Sequence, residues 1–279
     1  NQTTVKGIGN DSSVIDSGDK YTLVSTDLLL EGIHFNLMYF PLKHLGYKSV
    51  IRGISDIYAM NGTPGQILIG LGISSKFSAG QVDEIYEGVQ LACKKYEVDL
   101  AGGDITSSLT GLTISVTSVG SVEKKELVKR NGARPNDLIC VTGDFGASYM
   151  GLQLLERERK IFEQDKGIQP DLTGNDYVVG RQLKPEFPVA MLSELKKAGI
   201  HPGSMIDVTD GLASDLMQIC KASGTGCRIF NKQIPIDYET SRLAEEFNID
   251  PLIPALNGGD DFELLFTVPL DLYENMKHM

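Results

Sequence analysis

The chain has 279 residues, 41% of them hydrophobic and 23% charged, and its formal net charge is −11. This composition is typical of a globular protein, and the length exceeds what one hydrophobic core usually serves, so we expect two domains. No apolar run approaches the roughly 20 residues of a membrane-spanning helix, and no Lys/Arg cluster offers counter-charge to a nucleic-acid backbone, so neither partner is expected.

The first half of the chain alternates short β-rich runs with two helical patterns. The helix that begins after Ser78 has Gln81 three residues further on, which is the spacing of a capping box. In chain order we predict a strand at 21–27 that ends at Asp27, a helix at 42–60, a strand at 66–74, the helix after Ser78, a short strand VDLAGGD, and an alternating strand at 112–120.

A charged and then turn-rich segment, KKELVKRNGARPNDLI, places a domain boundary near residue 132, giving domains 1–132 and 133–279. Residues 160–180 lack periodicity and predict a long surface excursion. The other predicted elements are the strands LICVTG, SMIDVTD, CRIF and FELLFTVP and the helices ASYMGLQLLERER, PVAMLSELKKAG, GLASDLMQICKASG and ETSRLAEEFN. Both halves mix helices and strands without strict βαβ alternation, so the predicted class is α+β, with two mixed α/β domains and a C-terminal sheet covered by helices.

The four cysteines form no C-x-x-C pair and have no metal-ligand spacing with the four histidines. Each lies in an apolar segment. We therefore expect small buried thiols in a reducing compartment, and a cytoplasmic protein.

Aspartates recur where glycines or strand ends expose the backbone, in GIGND, VSTD, AGGD, IDVTDG and NGGDD. A further one, Asp56, lies inside the predicted helix 42–60. A lone Asp after Gly is usually only a turn residue, but several converging carboxylates would repel one another unless cations are present. Carboxylate oxygens with few histidines favour magnesium, which commonly bridges to substrate phosphates.

Other features support phosphate chemistry more weakly. A helix begins directly after Asp210-Gly211, where a phosphate could meet its N-terminus. Arg130 is either a phosphate clamp or a solvated linker arginine, and His34 is either a substrate contact or a structural histidine. The string GDFG at 143–146 matches a protein-kinase magnesium motif, but no H-R-D or V-A-I-K string precedes it and no Walker-type loop is present.

Six strings in order, GIGNDSSV, VSTDLLLEGIHF, HLGYKSVIRGISDIYAM, AGGDITSS, IDVTDGLASDL and LNGGDDFELLFTVP, resemble the thiamine-monophosphate kinase family. This family belongs to the superfamily of aminoimidazole ribonucleotide synthetase and selenophosphate synthetase. The resemblance runs from Gly7 to about Pro269. It implies phosphorylation of thiamine monophosphate by ATP, through direct in-line transfer with several Mg²⁺ ions, in a homodimer that pairs its N-terminal sheets across a two-fold axis.

The resemblance also implies roles for individual residues. The implied metal ligands are Asp11, Ser25, Thr26, Asp27, Asp56, Asp104, Asp207 and Asp210. The implied ATP contacts are Tyr86, Gly103, Asp104, Arg130 and Thr209, and the implied contacts to thiamine monophosphate are His34 and Asp260. No catalytic group beyond metal and phosphate positioning is implied, because the acceptor phosphate is already ionised.

The chain departs from the family pattern at several points. Asn10-Asp11 replaces the usual Asp-Asp, GGDD replaces GGED at Asp260, and DVTDG replaces D-x-S-D-G at Thr209. The chain stops at DLYENMKHM, before the C-terminal segment expected to help hold the thiamine rings. Two alternatives stay open: another ATP-using synthetase of the superfamily, phosphorylating an amide or selenide, or a nucleotide- or metal-binding protein without turnover.

Overall fold

The computed structural model describes residues 3–276. The chain divides into two compact units, Asn1–Leu127 and Val128–Met279, so the division falls a few residues before the predicted boundary at 132. Both units contain helices and strands, which confirms the α+β class. Among the residues described, no helix combines the length and apolar character needed to cross a membrane.

The first unit is built on one six-stranded sheet with two helices. Its elements are β1 (Thr4–Lys6), β2 (Ser13–Asp16), β3 (Lys20–Leu30), α1 (Leu42–Tyr58), β4 (Thr63–Ile73), α2 (Ala79–Tyr96), β5 (Asp99–Ser107) and β6 (Thr113–Glu123). The strand order is β1-β2-β3-β6-β4-β5. Of these pairings β4–β5 alone is parallel, and α2 supplies the crossover that a parallel pair needs.

Helix α1 packs on β3, β4 and β6. Strand alternation therefore gives the sheet a buried face toward the helix, which carries Leu23, Ile69 and Val116 with no exposed surface. The predicted capping box at the start of α2 is confirmed, because Ser78 Oγ accepts the Gln81 N–H and Gln81 Oε1 accepts the Ser78 N–H. These contacts fix the first turn of α2.

Two predicted strand ends in this unit are wrong. Strand β3 continues past Asp27 to Leu30, and β5 continues past Asp104 to Ser107. Both strands find ladder partners that a local reading does not see, because Asp27 pairs with Val116 and Asp104 with Gly70. The short strands β1 and β2 were not predicted at all.

The second unit has a three-stranded antiparallel sheet of order β7-β9-β8. Its elements are β7 (Leu138–Val141), α3 (Ala147–Gln164), α4 (Asp176–Leu183), α5 (Val189–Lys197), β8 (Ser204–Val208), α6 (Leu212–Ser223), α7 (Tyr238–Glu246), α8 (Leu252–Asn257), β9 (Glu263–Val268) and α9 (Tyr273–Met276). Helix α6 packs on β8 and β9, and Leu216, Val208 and Leu265 belong to one core cluster. A second cluster joins α3, α4 and α7.

Two predictions for this unit need correction. The strand predicted at CRIF is absent, since residues 227–230 lie outside every described strand and Phe230 is 56% exposed. The predicted excursion at 160–180 is shorter, because α3 runs to Gln164 and α4 begins at Asp176. The end of α3 was not predicted, because the residues from 160 onwards show no apolar periodicity. Close to this end, Arg159 forms ion pairs with Glu156 and Glu163 along the helix surface.

Candidate functional site

Strand β3 and helix α1 bring predicted metal ligands together in the first unit. Ser25 and Asp27 are two residues apart on β3 and share its helix-facing side. The Ser25 hydroxyl donates a hydrogen bond to Asp56 Oδ2 on α1. One turn before Asp56, Arg52 places its Nε 3.4 Å from Asp27 Oδ1, with both side chains largely buried. Sequence reasoning missed this arginine, although its spacing of four from Asp56 was a usable signal.

Asp11, in the segment between β1 and β2, completes this group. It is 9% exposed, and a carboxylate oxygen of Asp11 lies within 4.8 Å of one from Asp56. Two carboxylates at this separation repel each other in the absence of a counter-charge. Their oxygen donors match the ligand preference of Mg²⁺, so these residues fit a magnesium site.

Two other predicted metal ligands of the first unit, Thr26 and Asp104, lie on exposed surface of the sheet. Thr26 alternates to the exposed side of β3, where its hydroxyl lies 3.1 Å from that of Thr117. Asp104 is exposed on the edge strand β5, and its Oδ1 accepts the N–H of Ile105 at 2.9 Å. Among the described residues, Asp104 does not join the carboxylate group around Asp56.

Three predicted ATP contacts do meet in the first unit. Tyr86, Gly103 and Asp104 line one surface cavity of about 450 Å³. Partial burial of Tyr86 raises the pKa of its phenol, so the group stays protonated and can donate a hydrogen bond. The cavity therefore combines a donor, a carboxylate and an aromatic ring.

Gly103 has a structural reason to be glycine. A Cβ at this position would lie 1.9 Å from the carbonyl oxygen of Ile69 on β4. The absent side chain thus permits the close approach of β5 to its neighbour, a reason separate from the ATP contact that the resemblance implies for Gly103. Gly102 has open space around its Cβ position.

His34 follows β3 in a turn. Its Nδ1 accepts the N–H of Leu30 at 3.0 Å. An accepting Nδ1 carries no proton, so the neutral ring has its proton on Nε2 and presents a donor there. The turn therefore fixes the tautomer that a phosphate oxygen would require.

In the second unit, the loop between β8 and α6 is shaped by Asp215, which was not among the predicted site residues. Its Oδ2 accepts the N–H groups of Thr209 at 3.1 Å and Asp210 at 3.0 Å. Burial raises the pKa of Asp215 to about 7, and the nearby charges of Asp207 and Asp210 add to this shift. The sequence signal for Asp215 was its place, as a carboxylate, in the first turn of the helix that follows Asp210-Gly211.

The segment 258–262 folds over this same loop. The N–H groups of Asp260 and Phe262 donate to the carbonyls of Thr209 and Val208, each at 2.9 Å. A Cβ on Gly259 would lie 2.5 Å from the Thr209 carbonyl oxygen, so only glycine permits this approach. The second unit thus holds the loop of Thr209 and Asp210, which follows Asp207 at the end of β8, against Asp260.

Arg130 also falls in the second unit, although the predicted boundary placed it in the first domain. Its carbonyl oxygen accepts the hydroxyl of Ser223, at the C-terminal end of α6, at 3.3 Å. This contact ties the backbone of Arg130 to α6 and leaves its predicted role toward ATP a prediction.

Comparison with known proteins defines first a class and then a family. Residues 9–122 match the family described as AIR synthase related protein, N-terminal domain. The fold is shared with hydrogenase maturation protein HypE in complex with ATP, at 18% identity and a TM-score of 0.71 over 95% of this chain and 73% of that one. The first unit thus has the fold of an AIR synthase-related domain.

The particular family follows from closer relatives. Thiamine-monophosphate kinase of Bacillus subtilis (strain 168) is 34% identical over 275 residues, covering 97% of this chain and 80% of the relative. That of Aquifex aeolicus (strain VF5) is 32% identical over 264 residues, 95% and 81% of the two chains. A solved complex described as AaThiL with AMPPCP and TMP superposes with a TM-score of 0.84 at 30% identity, over 95% of this chain and 81% of that one. The chain belongs to the thiamine-monophosphate kinase family.

Proposed function

We propose that this protein transfers the γ-phosphoryl group of ATP to thiamine monophosphate, giving thiamine diphosphate and ADP. The observation that carries the proposal is the similarity, over 95% of this chain, to a solved complex that holds both AMPPCP, an ATP analogue, and TMP. In such a reaction the protein mainly positions the two substrates and offsets the charge that develops on the phosphoryl oxygens.

The first unit would supply a metal site. Asp11 and Asp56 have carboxylate oxygens within 4.8 Å of each other, with Ser25 hydrogen-bonded to Asp56 and Asp27 beside Arg52. Mg²⁺ held there would offset phosphate charge and orient phosphate oxygens. Ser25 fixes the rotamer of Asp56, and Arg52 limits the uncompensated charge at Asp27. The resemblance also implies that Asp207 and Asp210, in the second unit, and Asp104, in the first, are metal ligands, and we propose that role for each.

The nucleotide and the acceptor would be held by different residues. The cavity of Tyr86, Gly103 and Asp104 is proposed for ATP. Thr209 and Arg130, in the second unit, are also proposed to contact ATP, as the resemblance implies. His34, with a donor on Nε2, and Asp260 are proposed to face thiamine monophosphate. No general base is required, because the attacking oxygen belongs to an ionised phosphate.

The proposal is tested by measuring ADP release with two different acceptor substrates. Purified protein is supplied with ATP, Mg²⁺ and either thiamine monophosphate or an aminoimidazole precursor, and the organic product is identified by mass. We expect ADP release in the reaction with thiamine monophosphate and none in the reaction with the aminoimidazole precursor. Turnover with the precursor favours the synthetase alternative, and binding of nucleotide without ADP release favours the alternative without turnover.

The metal site is tested by Asp56→Asn. Asparagine keeps the acceptor for Ser25 but loses the charge, so we expect turnover to fall below detection while the protein stays folded. In magnesium-free buffer, stability should be level or higher, because repulsion with Asp11 is removed. The matched control is Asp19→Asn, the same change at an exposed turn residue. Near wild-type turnover of Asp56→Asn at low millimolar Mg²⁺ would contradict a metal site at these residues.

The proposed function also includes an oligomeric state and a cellular location. We propose a homodimer formed through the exposed face of the six-stranded sheet, from residues in 20–27, 66–74 and 112–120. A cytoplasmic location, expected from the sequence, belongs to the same proposal. The cysteines themselves are less buried than expected, since Cys93 is buried but Cys227 is exposed.

A further inference from the structure

The second unit contains a partly to fully buried group of polar and charged side chains that the proposed reaction does not use. Helix α4 carries Tyr177 and Arg181 four residues apart, so both side chains lie on the same face. Their partners come from residues 142–146, which follow β7, and from residues 261–263, which lead into β9. We refer to Asp144, Tyr177, Arg181, Asp261 and Glu263 as the Arg181 cluster.

Arg181 is the central member of this cluster. Its side chain is 15% exposed, and its Nη1 donates to Glu263 Oε1 at 2.8 Å. Its Nη2 donates to the carbonyl oxygens of Asp144 and Asp261, each at 3.1 Å. One guanidinium therefore ties α4 to both neighbouring segments at once, which the compact ammonium of a lysine cannot reproduce.

The remaining members brace the same two segments. The Tyr177 hydroxyl donates to Asp144 Oδ2 at 2.5 Å. The Gly146 N–H donates to both carboxylate oxygens of Asp261, at 3.2 and 3.1 Å. A Cβ on Gly143 would lie 2.3 Å from Glu263 Oε1, so the carboxylate fills the space beside that backbone. These contacts join residues 142–146, helix α4 and residues 261–263 in one hydrogen-bonded group.

The held segment has an unfavourable backbone conformation. Asp260 and Phe262 have φ values of +61° and +54°, the left-handed region that residues with a Cβ seldom adopt. Such conformations persist only where surrounding contacts enforce them. The carbonyl of Asp261, between the two, is one that Arg181 holds.

We infer that Arg181 is a positioning residue for the acceptor substrate: it holds Asp260 in the orientation that recognises thiamine monophosphate. The inference rests on the proposed function, in which Asp260 contacts that substrate. Arg181 acts through the backbone of Asp261, together with the contacts from Asp260 and Phe262 to β8 and its loop. A residue with a merely structural role would instead lower stability and affect both substrates alike.

The test is Arg181→Lys, which keeps the positive charge and loses the forked donor. Steady-state kinetics are measured with each substrate varied in turn, alongside thermal unfolding. We expect the KM for thiamine monophosphate to rise about tenfold, the effect of weakening one charge-assisted hydrogen bond. The KM for ATP should stay within about twofold, because the proposed nucleotide cavity of Tyr86, Gly103 and Asp104 belongs to the first unit. The matched control is Arg159→Lys on α3, since Arg159 likewise donates three hydrogen bonds, in its case all to the carboxylates of Glu156 and Glu163.

A double-mutant cycle with Asp260→Ala separates positioning from general damage. If Arg181 acts through Asp260, the double variant has the same KM for thiamine monophosphate as Asp260→Ala alone. If Arg181→Lys does not fold, Tyr177→Phe removes one brace of the cluster and is expected to give a smaller shift of the same kind. Equal rises in both KM values, or additive effects in the cycle, would overturn this inference in a protein that is active. A wild-type protein without turnover of thiamine monophosphate would overturn the proposed function, and this inference with it.

Discussion

Asp261 is the most deeply buried carboxyl of the Arg181 cluster, with no exposed surface. Burial raises its pKa from 3.8 to about 7, while the N–H of Gly146 and the charge of Arg181 lower the pKa and offset part of that shift. Burial also raises the pKa of Glu263 nearby. The cluster therefore favours a protonated carboxyl beside Arg181 at mildly acidic pH.

This pKa predicts a pH-dependent stability. Between pH 3.8 and about 7 the folded protein keeps a proton on Asp261 that the unfolded chain has released. The free energy of unfolding therefore falls as pH rises through this window. In Asp261→Asn the carboxyl cannot titrate, and the amide oxygen can still accept the Gly146 N–H. We expect the stability of Asp261→Asn relative to wild type to increase with pH across the window, measured by urea unfolding.

The control for this experiment is Asp271→Asn, at an exposed residue. Its stability difference from wild type should not vary with pH. A difference between wild type and Asp261→Asn that is constant over the same window would show that Asp261 does not titrate in this range.

At the scale of elements, two glycines decide how α1 and α2 pack. A Cβ on Gly46 would lie 1.9 Å from the carbonyl oxygen of Ile85, and one on Gly88 would lie 1.8 Å from that of Lys43. The two helix backbones therefore touch at both points. Because α1 carries Asp56 and Arg52, this contact also sets the position of the proposed metal site.

Gly88→Ala is expected to force the helices apart and to lower the stability by about 1–3 kcal/mol, the usual range for overpacking. The matched control lies on the same helix, since a Cβ on Gly80 meets nothing within 4 Å. Gly80→Ala should be stabilising by about 0.5–1 kcal/mol, because alanine is the better helix former. Thermal unfolding of the two variants checks the opposite signs, and equal shifts would contradict the close contact of the backbones.

The sequence predicted elements well where the signal is local. The apolar spacing of 42–60 and the pair Ser78 and Gln81 each predicted a helix that the structure contains. Strand ends such as Asp27 were wrong, because a strand ends where its ladder partner ends and that partner is distant in sequence. The missing strand at CRIF fails for the same reason, since four β-favouring residues do not form a strand without a neighbour.

For the candidate site too, the sequence predicted the residues that are recognisable from their local context. Aspartates beside glycines or strand ends were found, because their type and context are visible in the sequence. Arg52, Arg181 and Asp215 were missed, since each matters only through contacts made by the folded chain. The sequence also could not tell that Gly103 is required by a neighbouring strand.

At the scale of the whole molecule, the first unit exposes an apolar sheet face. Leu28 is 56% exposed and Leu68 is 40% exposed. Register places Leu68 in a row with Thr117 and Thr26, and Leu28 one row further along the same face. An exposed apolar face of this kind favours association with a second copy, which supports the proposed homodimer.

Leu28→Glu is expected to convert the dimer to a monomer at micromolar concentration, measured by sedimentation, because it places a charge in the proposed interface. The matched control is Leu91→Glu on α2, where the leucine is 48% exposed on the other side of the sheet. That variant should sediment as the wild type does. A wild-type protein that is a stable monomer would count decisively against the homodimer.

The position of β6 has a consequence for synthesis of the chain. This strand lies between β3 and β4 in the sheet, yet it is the last strand of its unit to be translated. Lys20 pairs with Glu123 and Leu30 with Thr113, so β3 emerges from the ribosome long before its partner exists. Until residue 123 has been made, a nascent chain can form the β1–β3 meander and the β4–α2–β5 crossover only as separate pieces with unpaired inner edges. Folding of the unit therefore waits for one late segment, and the exposed edges of β3 and β4 are where a stalled nascent chain would be recognised by a chaperone.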